Sequence, residues 1–352
     1  MNKYFFVFFI ATIVSFCMTP LAKKLAYKVG AIDVPKDERR VHKKPIPRMG
    51  GLAIYLGVIG SILLLLPYMD LSVDMLKQIK GILIGGTIIV LMGIVDDINP
   101  LSAKVKLAGQ ILSAAVAVYC GVKIQVLNVP FIDYQFNVEY LGLSIPVTIF
   151  WIVGITNTLN LIDGLDGLAA GVATIAAVSL SYVGFMNESY IAAMMTLAIA
   201  GACLGFLPYN FNPAKIFMGD TGSLFLGYML ATISVFGLTK GAVAIATIVP
   251  VLALGLPIFD TTFAILRRML NGRPIMEPDK GHLHHKLLST GMGQKRTVLI
   301  LYAISGIFGV SAALMSRSKG WDSLFIIIAA CALMYISVGM QRYQKQKSSH
   351  KE

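Results

Sequence analysis

The chain has 352 residues, of which 56% are hydrophobic and 14% charged, with a mean hydropathy of +0.74. This composition excludes a soluble globule built around one core and indicates a polytopic helical membrane protein. The formal net charge of +12 follows from where the basic residues lie along the chain, and it points to anionic lipid and phosphate as partners, with no nucleic acid.

A helix needs about 20 apolar residues to cross the hydrocarbon. Eleven runs qualify: 4–21, 50–67, 79–95, 107–121, 145–162, 167–185, 190–208, 222–238, 241–266, 297–316 and 321–340. The expected fold is an all-α bundle of about eleven transmembrane helices. The first run has only Lys3 ahead of it, no small-x-small site after it, and Lys23, Lys24 and Lys28 directly behind it, so it is expected to stay as an anchor. Assigning loops alternately to two sides puts 23 of the 30 Lys and Arg on one side and 7 on the other. The richer side is cytoplasmic by the positive-inside rule, which sets the chain N-out and C-in. Residues 1–341 read as one integral membrane domain and 342–352 as a flexible basic tail.

Seven aspartates, 96, 97, 163, 166, 220, 260 and 279, fall in the loops or at the run ends of the cytoplasmic side. Carboxylates at a bilayer boundary are expensive, so their gathering beside Gly, Asn and His indicates a metal and a charged substrate.

In chain order, the loop from Asp33 to Gly51 is dense in Lys and Arg. Positive-inside bias explains many of these, but not Pro45-Ile-Pro-Arg-Met-Gly-Gly51. There the prolines fix the chain, the glycines permit close approach, and Arg48 is suited to clamp a phosphate at two points. Next, Asp96 and Asp97 close the third run. Adjacent residues do not share a helix face, so one carboxylate is expected on a metal and the other as a base or supporting group. Lys104 and Lys106 either hold phosphate oxygens as point charges or are ordinary positive-inside lysines.

On the opposite side, residues 122–144 alternate apolar positions with turn residues and predict a small outer β-hairpin, with an amphipathic connector as the alternative. Within Asn157–Leu168, Asn157, Asn160, Asp163 and Asp166 recur every third residue and share a face if helical. Helix capping needs one or two such groups, so four indicate a site, and Gly164 and Gly167 allow a ligand or backbone to come close. In Asn210–Ser223, Asp220 sits where the next run restarts; it either caps that helix or binds a metal shared with an anionic substrate. Phe217 is placed to stack on a base, with plain packing as the alternative.

The ninth run holds Pro250 and Pro257 before Asp260, which predicts a broken or bent helix. Three of the five histidines follow within four residues, His282, His284 and His285. No cysteine or spaced carboxylate nearby completes a zinc set, and phosphate-facing histidines alongside Arg267, Arg268, Arg273 and Lys280 fit better. A solvated basic loop also accounts for the arginines. The four cysteines (17, 120, 203 and 331) lie singly in apolar runs and read as packing.

Taken in this order, the motifs over residues 33–287 resemble the polyprenyl-phosphate N-acetylhexosamine-1-phosphate transferases. The Pro-Arg-x-Gly-Gly and His-x-His-His forms are similar to the branch using UDP-N-acetylglucosamine. The resemblance implies a bacterial plasma-membrane enzyme with a cytoplasmic cleft. It implies that Asp220 binds the metal and that Asp96 and Asp97 are tied to magnesium and to activating the lipid phosphate. Asp163, Asp166, Asn160, Asn210 and Phe217 would lie at the nucleotide site, Lys106 on a phosphate, and His282, His284 and His285 by the pyrophosphate.

The expected reaction moves N-acetylglucosamine 1-phosphate from UDP-N-acetylglucosamine to undecaprenyl phosphate, as in wall teichoic acid initiation. Magnesium is the expected ion, with manganese as a substitute, and both membrane lipids and a second copy of the chain (a homodimer) are compatible partners. Two other readings stay open here: a phospho-N-acetylmuramoyl-pentapeptide transferase, and an ion-coupled transporter. The transporter is disfavoured because the carboxylates gather at one face and the runs do not divide into matching halves.

Overall fold

The structure is a computed structural model that describes residues 2–34, 45–128, 135–238, 248–272 and 282–317. Helix α1 (Asn2–Val29) is followed by a two-residue ladder of β1 (Ile32–Asp33) and β2 (Ile46–Pro47) that pairs Ile32 with Pro47 and Asp33 with Ile46. Then come α2 (Gly51–Leu65), α3 (Val73–Ile98) and α4 (Ala103–Tyr119). Strands β3 (Val126–Asn128) and β4 (Gln135–Asn137) pair antiparallel, so the strand pairing of the hairpin expected from the sequence is present. Helices α5 (Ser144–Ile162), α6 (Leu168–Met186), α7 (Tyr190–Asn210) and α8 (Gly219–Leu238) complete the centre of the bundle.

The ninth run is two helices, α9 (Ile248–Ala253) and α10 (Gly255–Leu270), meeting at Leu254. This is the break that the two prolines predict. A short α11 (Leu283–Ser289) carries His284 and His285, with His282 just before it, and α12 (Gln294–Arg317) is the last described helix. The eleventh run, the basic tail, Arg273, Asp279 and Lys280 lie outside the described residues.

Among the described residues, seven helices are long and apolar enough to cross a membrane: α1, α2 with the 3-10 turn that follows it, α3, α5, α6, α7 and α12. Their outward faces bear Phe5, Phe6, Phe9, Leu91, Val95 and Phe150, all exposed, as an apolar surrounding would require. The chain is an all-α polytopic membrane protein. Helix α8 is the axis of the bundle, packed against both α3 and α5, with Leu224, Phe225, Tyr228 and Met229 fully buried. Glycines set these approaches: Gly93 faces Thr221 backbone and Gly227 faces Thr156 backbone, and a Cβ at either would meet those atoms at 2.5 and 2.6 Å. Small residues of this kind let membrane helices come close enough to gain dispersion contacts that lipid cannot supply.

Candidate active site

Asp96 and Asp97 end α3, where the helix presents its negative pole, so both carboxylates need compensating donors. Asp97 finds them at the positive pole of α8. Its Oδ1 accepts from the Asp220 amide at 2.9 Å, and its Oδ2 accepts from the Thr221 amide at 3.1 Å and the Thr221 hydroxyl at 2.6 Å. The first residue of α8, Gly219, has φ +71°, and a Cβ there would strike the Asp97 carboxylate. Only glycine both adopts that backbone and leaves room for the carboxylate.

Asp96 accepts from the Leu101 amide at 2.7 Å and from Lys106 Nζ at 2.7 Å. Lys106 also donates to Asp220 Oδ2 at 2.7 Å, while Asn160 Nδ2 reaches Asp220 Oδ1 at 3.2 Å and Ser223 Oγ at 2.9 Å. One ammonium therefore bridges two carboxylates from different helices. The alternative of an uninvolved positive-inside lysine does not describe Lys106.

These groups meet at a cavity of about 410 Å³ lined by Asp97, Asn160, Asp163, Asp166, Asn210, Phe217, Asp220 and His285, and by Arg48, Asp33 and Gln294 at its rim. Asp163 closes α5 and is half-buried. Its carboxylate accepts no hydrogen bond from the described residues. Burial first, and then the charges of Asp220, Asp97 and Asp166, push its pKa up to about 8. Among the described residues it is the one cavity carboxylate without a compensating donor. Asp166 is held differently, accepting from Asn212 Nδ2 at 2.9 Å and the Ala214 amide at 3.0 Å.

The other sequence-predicted residues divide between lining and support. Asn210 is buried, accepts from the Gly167 amide at 3.1 Å and donates to the Ile216 carbonyl at 3.0 Å, so it ties the α5–α6 loop to the approach to α8. Asn157 lies one turn deeper than Asn160 and does not reach the cavity; it exchanges amide bonds with Gln110 of 2.6 and 3.2 Å. The expected stripe of four polar groups therefore ends with Asn160. Arg48 Nη2 donates to Asp33 Oδ1 at 2.6 Å.

The Met-Gly-Gly turn next to Arg48 is a backbone joint. Gly50 and Gly51 amides donate to the Phe217 and Met218 carbonyls at 2.9 and 2.8 Å, and the Phe217 amide donates to the Pro47 carbonyl at 2.8 Å. The close approach expected of these glycines is thus made by protein backbone.

His282 caps α11, and His284 and His285 sit on it. His282 and His284 stack at 5.7 Å and His284 meets His285 at 4.3 Å. His285 lines the cavity, whereas His284 is buried with Nδ1 lacking a partner among the described residues. Burial, and then the charge of His285, lower the His284 pKa to about 4, so this ring is neutral at physiological pH.

Against this geometry, a family model described as glycosyl transferase family 4 matches residues 79–238. A probable undecaprenyl-phosphate N-acetylglucosaminyl 1-phosphate transferase of Bacillus subtilis (strain 168) is 43% identical over 94% of this chain and 89% of its own length. The chain belongs to glycosyl transferase family 4. This family 4 transferase is also similar, at 39% identity over 91% of the chain and 84% of the relative, to a decaprenyl-phosphate N-acetylglucosaminephosphotransferase of Mycobacterium tuberculosis (strain CDC 1551 / Oshkosh). A phospho-N-acetylmuramoyl-pentapeptide-transferase of Chlorobaculum parvum (strain DSM 263 / NCIMB 8327) is 34% identical over 78% of the chain and 80% of its own length.

Sequence reading missed Thr221, Asn212, Gln294 and the work of Asp33 in this family 4 site. Thr221 and Asn212 stand inside motifs that had been singled out, so their positions carried a signal. Gln294 lies beyond the last motif. Only the fold brings its Oε1 to 2.6 Å from Asn212 Nδ2.

Proposed function

We infer that the protein transfers N-acetylglucosamine 1-phosphate from UDP-N-acetylglucosamine to undecaprenyl phosphate, forming undecaprenyl-diphosphate-N-acetylglucosamine and releasing UMP. Such a product starts a cell-envelope glycan such as wall teichoic acid. The choice of sugar is supported by the names of the Bacillus and Mycobacterium relatives, and that of undecaprenyl phosphate by the Bacillus one; both match more of the chain at higher identity than the muramoyl-pentapeptide relative does. The Lys and Arg asymmetry supports a cavity that faces the cytoplasm.

The observation that carries the chemistry is the uncompensated carboxylate of Asp163, in one cavity with Asp220. Oxygen donors of this kind fit magnesium, which takes one or two carboxylates and completes its shell with water and substrate phosphates. Asp220 with Asp163 would hold the ion, the long 3.2 Å contact from Asn160 leaving Asp220 Oδ1 the more weakly held oxygen, whereas Asp97 accepts three hydrogen bonds at the start of α8. Bound there, magnesium would supply positive charge for the diphosphate. Manganese, also an oxygen-seeking divalent ion, would serve in its place.

Both substrates are anions, and two unit charges ~4 Å apart repel by about 1 kcal/mol in water and several-fold more near a protein surface. Lys106, behind the cavity-lining Asp220, would lower that barrier and keeps Asp96 and Asp220 in place. A lipid phosphate oxygen attacks the sugar-linked phosphorus while the bond from that phosphorus to the bridging oxygen breaks, and the electron pair leaves with UMP. Arg48 and His285, which line the cavity, would meet the diphosphate, and Phe217 the base. Direct displacement is preferred over an aspartyl-phosphate because positioning and charge stabilisation carry most of such reactions. A phosphoenzyme trapped with nucleotide sugar alone would overturn that preference.

The test is UMP release by purified protein with undecaprenyl phosphate, comparing UDP-N-acetylglucosamine with UDP-muramoyl-pentapeptide, each with and without magnesium. Magnesium-dependent release with the first alone supports the proposal. Release with the second moves the chain to peptidoglycan synthesis, and silence with both, together with a cation flux in vesicles, identifies a transporter.

A further inference from the structure

Asp260 lies on α10, one turn before the buried Ala264. Its carboxylate spans the gap to α11 with both oxygens. Oδ2 is 2.9 Å from His282 Nδ1, and Oδ1 accepts the Leu283 amide at 2.7 Å. The pair is nearly sealed, with side-chain exposures of 6% for His282 and 8% for Asp260. An ionised carboxylate only accepts, so His282 must carry its proton on Nδ1. The same carboxylate takes an amide proton from the first turn of α11, which His282 caps with no side-chain bond of its own. His282 then stacks nearly parallel to His284, at 9° between planes. His284 in turn packs on Gly164 of the cavity loop, and His285 enters the cavity.

We propose that Asp260 is a positioning residue of this active site, fixing the Nδ1–H tautomer of His282 so that His284 seats on Gly164 and His285 faces the substrate cavity. The substrate part of this rests on the function proposed above; the tautomer and the seating do not. Orienting partners of this kind typically change activity by about 10–100-fold when removed.

Asp260→Asn tests it, because the amide can still accept from Leu283 through Oδ1 but now donates to His282 Nδ1, which forces the proton to Nε2. Leu283→Pro removes only the amide arm, at a first helical position where proline is tolerated and after a residue already extended (His282 φ −60°, ψ 151°). Nitrogen-15 NMR of histidine-labelled protein in nanodiscs reads the tautomer whether or not the enzyme turns over. Expected are Nδ1–H at His282 in the unmodified protein and Nε2–H in Asp260→Asn. UMP release should fall about 10–100-fold in kcat with KM for the nucleotide sugar within about twofold, while Leu283→Pro retains at least about half the rate. In a His282→Ala background Asp260→Asn should cost nothing further, as required of a residue acting through another.

An unchanged tautomer, an additive loss in the His282→Ala background, or an equal loss in Leu283→Pro overturns the proposal. If Asp260→Asn does not fold, the unmodified protein's His282 tautomer and the Leu283→Pro rate decide it alone. A correct tautomer in a protein that releases no UMP would refute the substrate reading and leave the Asp260–His282 assignment standing.

Discussion

Gly164 and His284 touch so closely that a Cβ at 164 would lie 2.7 Å from His284 Nε2. The loop that carries Asp163 and Asp166 is thereby seated on the histidine helix, although more than a hundred residues separate them in sequence.

Gly164→Ala should therefore separate the two motifs. The buried His284 ring has little room to retreat, so overpacking should cost about 1–3 kcal/mol of stability. UMP release should drop at least about tenfold, equivalent to about 1.4 kcal/mol of barrier. Thermal unfolding and initial rates on the same preparation check this, and an unimpaired Gly164→Ala enzyme would show that the loop and helix move independently.

Lys106→Met removes the charge that Asp96 and Asp220 share while keeping most of the side chain's length. Two facing carboxylates without their cation should cut UMP release at least ~100-fold, or about 2.7 kcal/mol. Lys106→Arg should not restore it fully, because a planar fork does not replace a compact ammonium between two oxygens. The measurement is kcat/KM for both variants.

Magnesium should stabilise the protein before any turnover. The uncompensated Asp163 carboxylate and Asp220 would each relax on meeting a cation, so the unfolding temperature should rise with added magnesium and the rise should saturate. Asp163→Asn and Asp220→Asn should each abolish the saturable part. An equal rise in both variants would place the ion elsewhere.

Acid should destabilise the protein through His284. Its folded pKa of about 4 lies below the ordinary histidine value of 6.5, so the unfolded chain binds more protons than the folded one between these limits. Its contribution is fully present above about pH 6.5 and is lost progressively as pH falls toward 4, by on the order of 3 kcal/mol at most. Urea unfolding at pH 7 and pH 4.5 measures this. His284→Gln should lack most of that pH slope, and a slope equal to the parent's would assign the acid lability to other groups.

Much of the fold was legible because a bilayer imposes length and polarity directly on the chain: apolar runs of about 20 residues, prolines that break the ninth run, and a hairpin whose residues alternate. The motifs were legible because carboxylates, asparagines and histidines are costly at a membrane edge and stand out against leucine and alanine. What the sequence by itself determined, then, was the membrane class, the approximate spans and which polar residues stand out at their ends.

Only the tertiary structure decided how those residues divide the work. Asn157 and Asn160 are equivalent by spacing, yet one pairs with Gln110 inside the bundle and the other reaches Asp220. Asp96 and Asp97 are neighbours, yet one takes Lys106 and the other takes the positive end of α8. The reason is physical: a carboxylate's role follows from which donors lie within about 3 Å of it, and those donors arrive from helices ten to over a hundred residues away, through packing that no local pattern encodes.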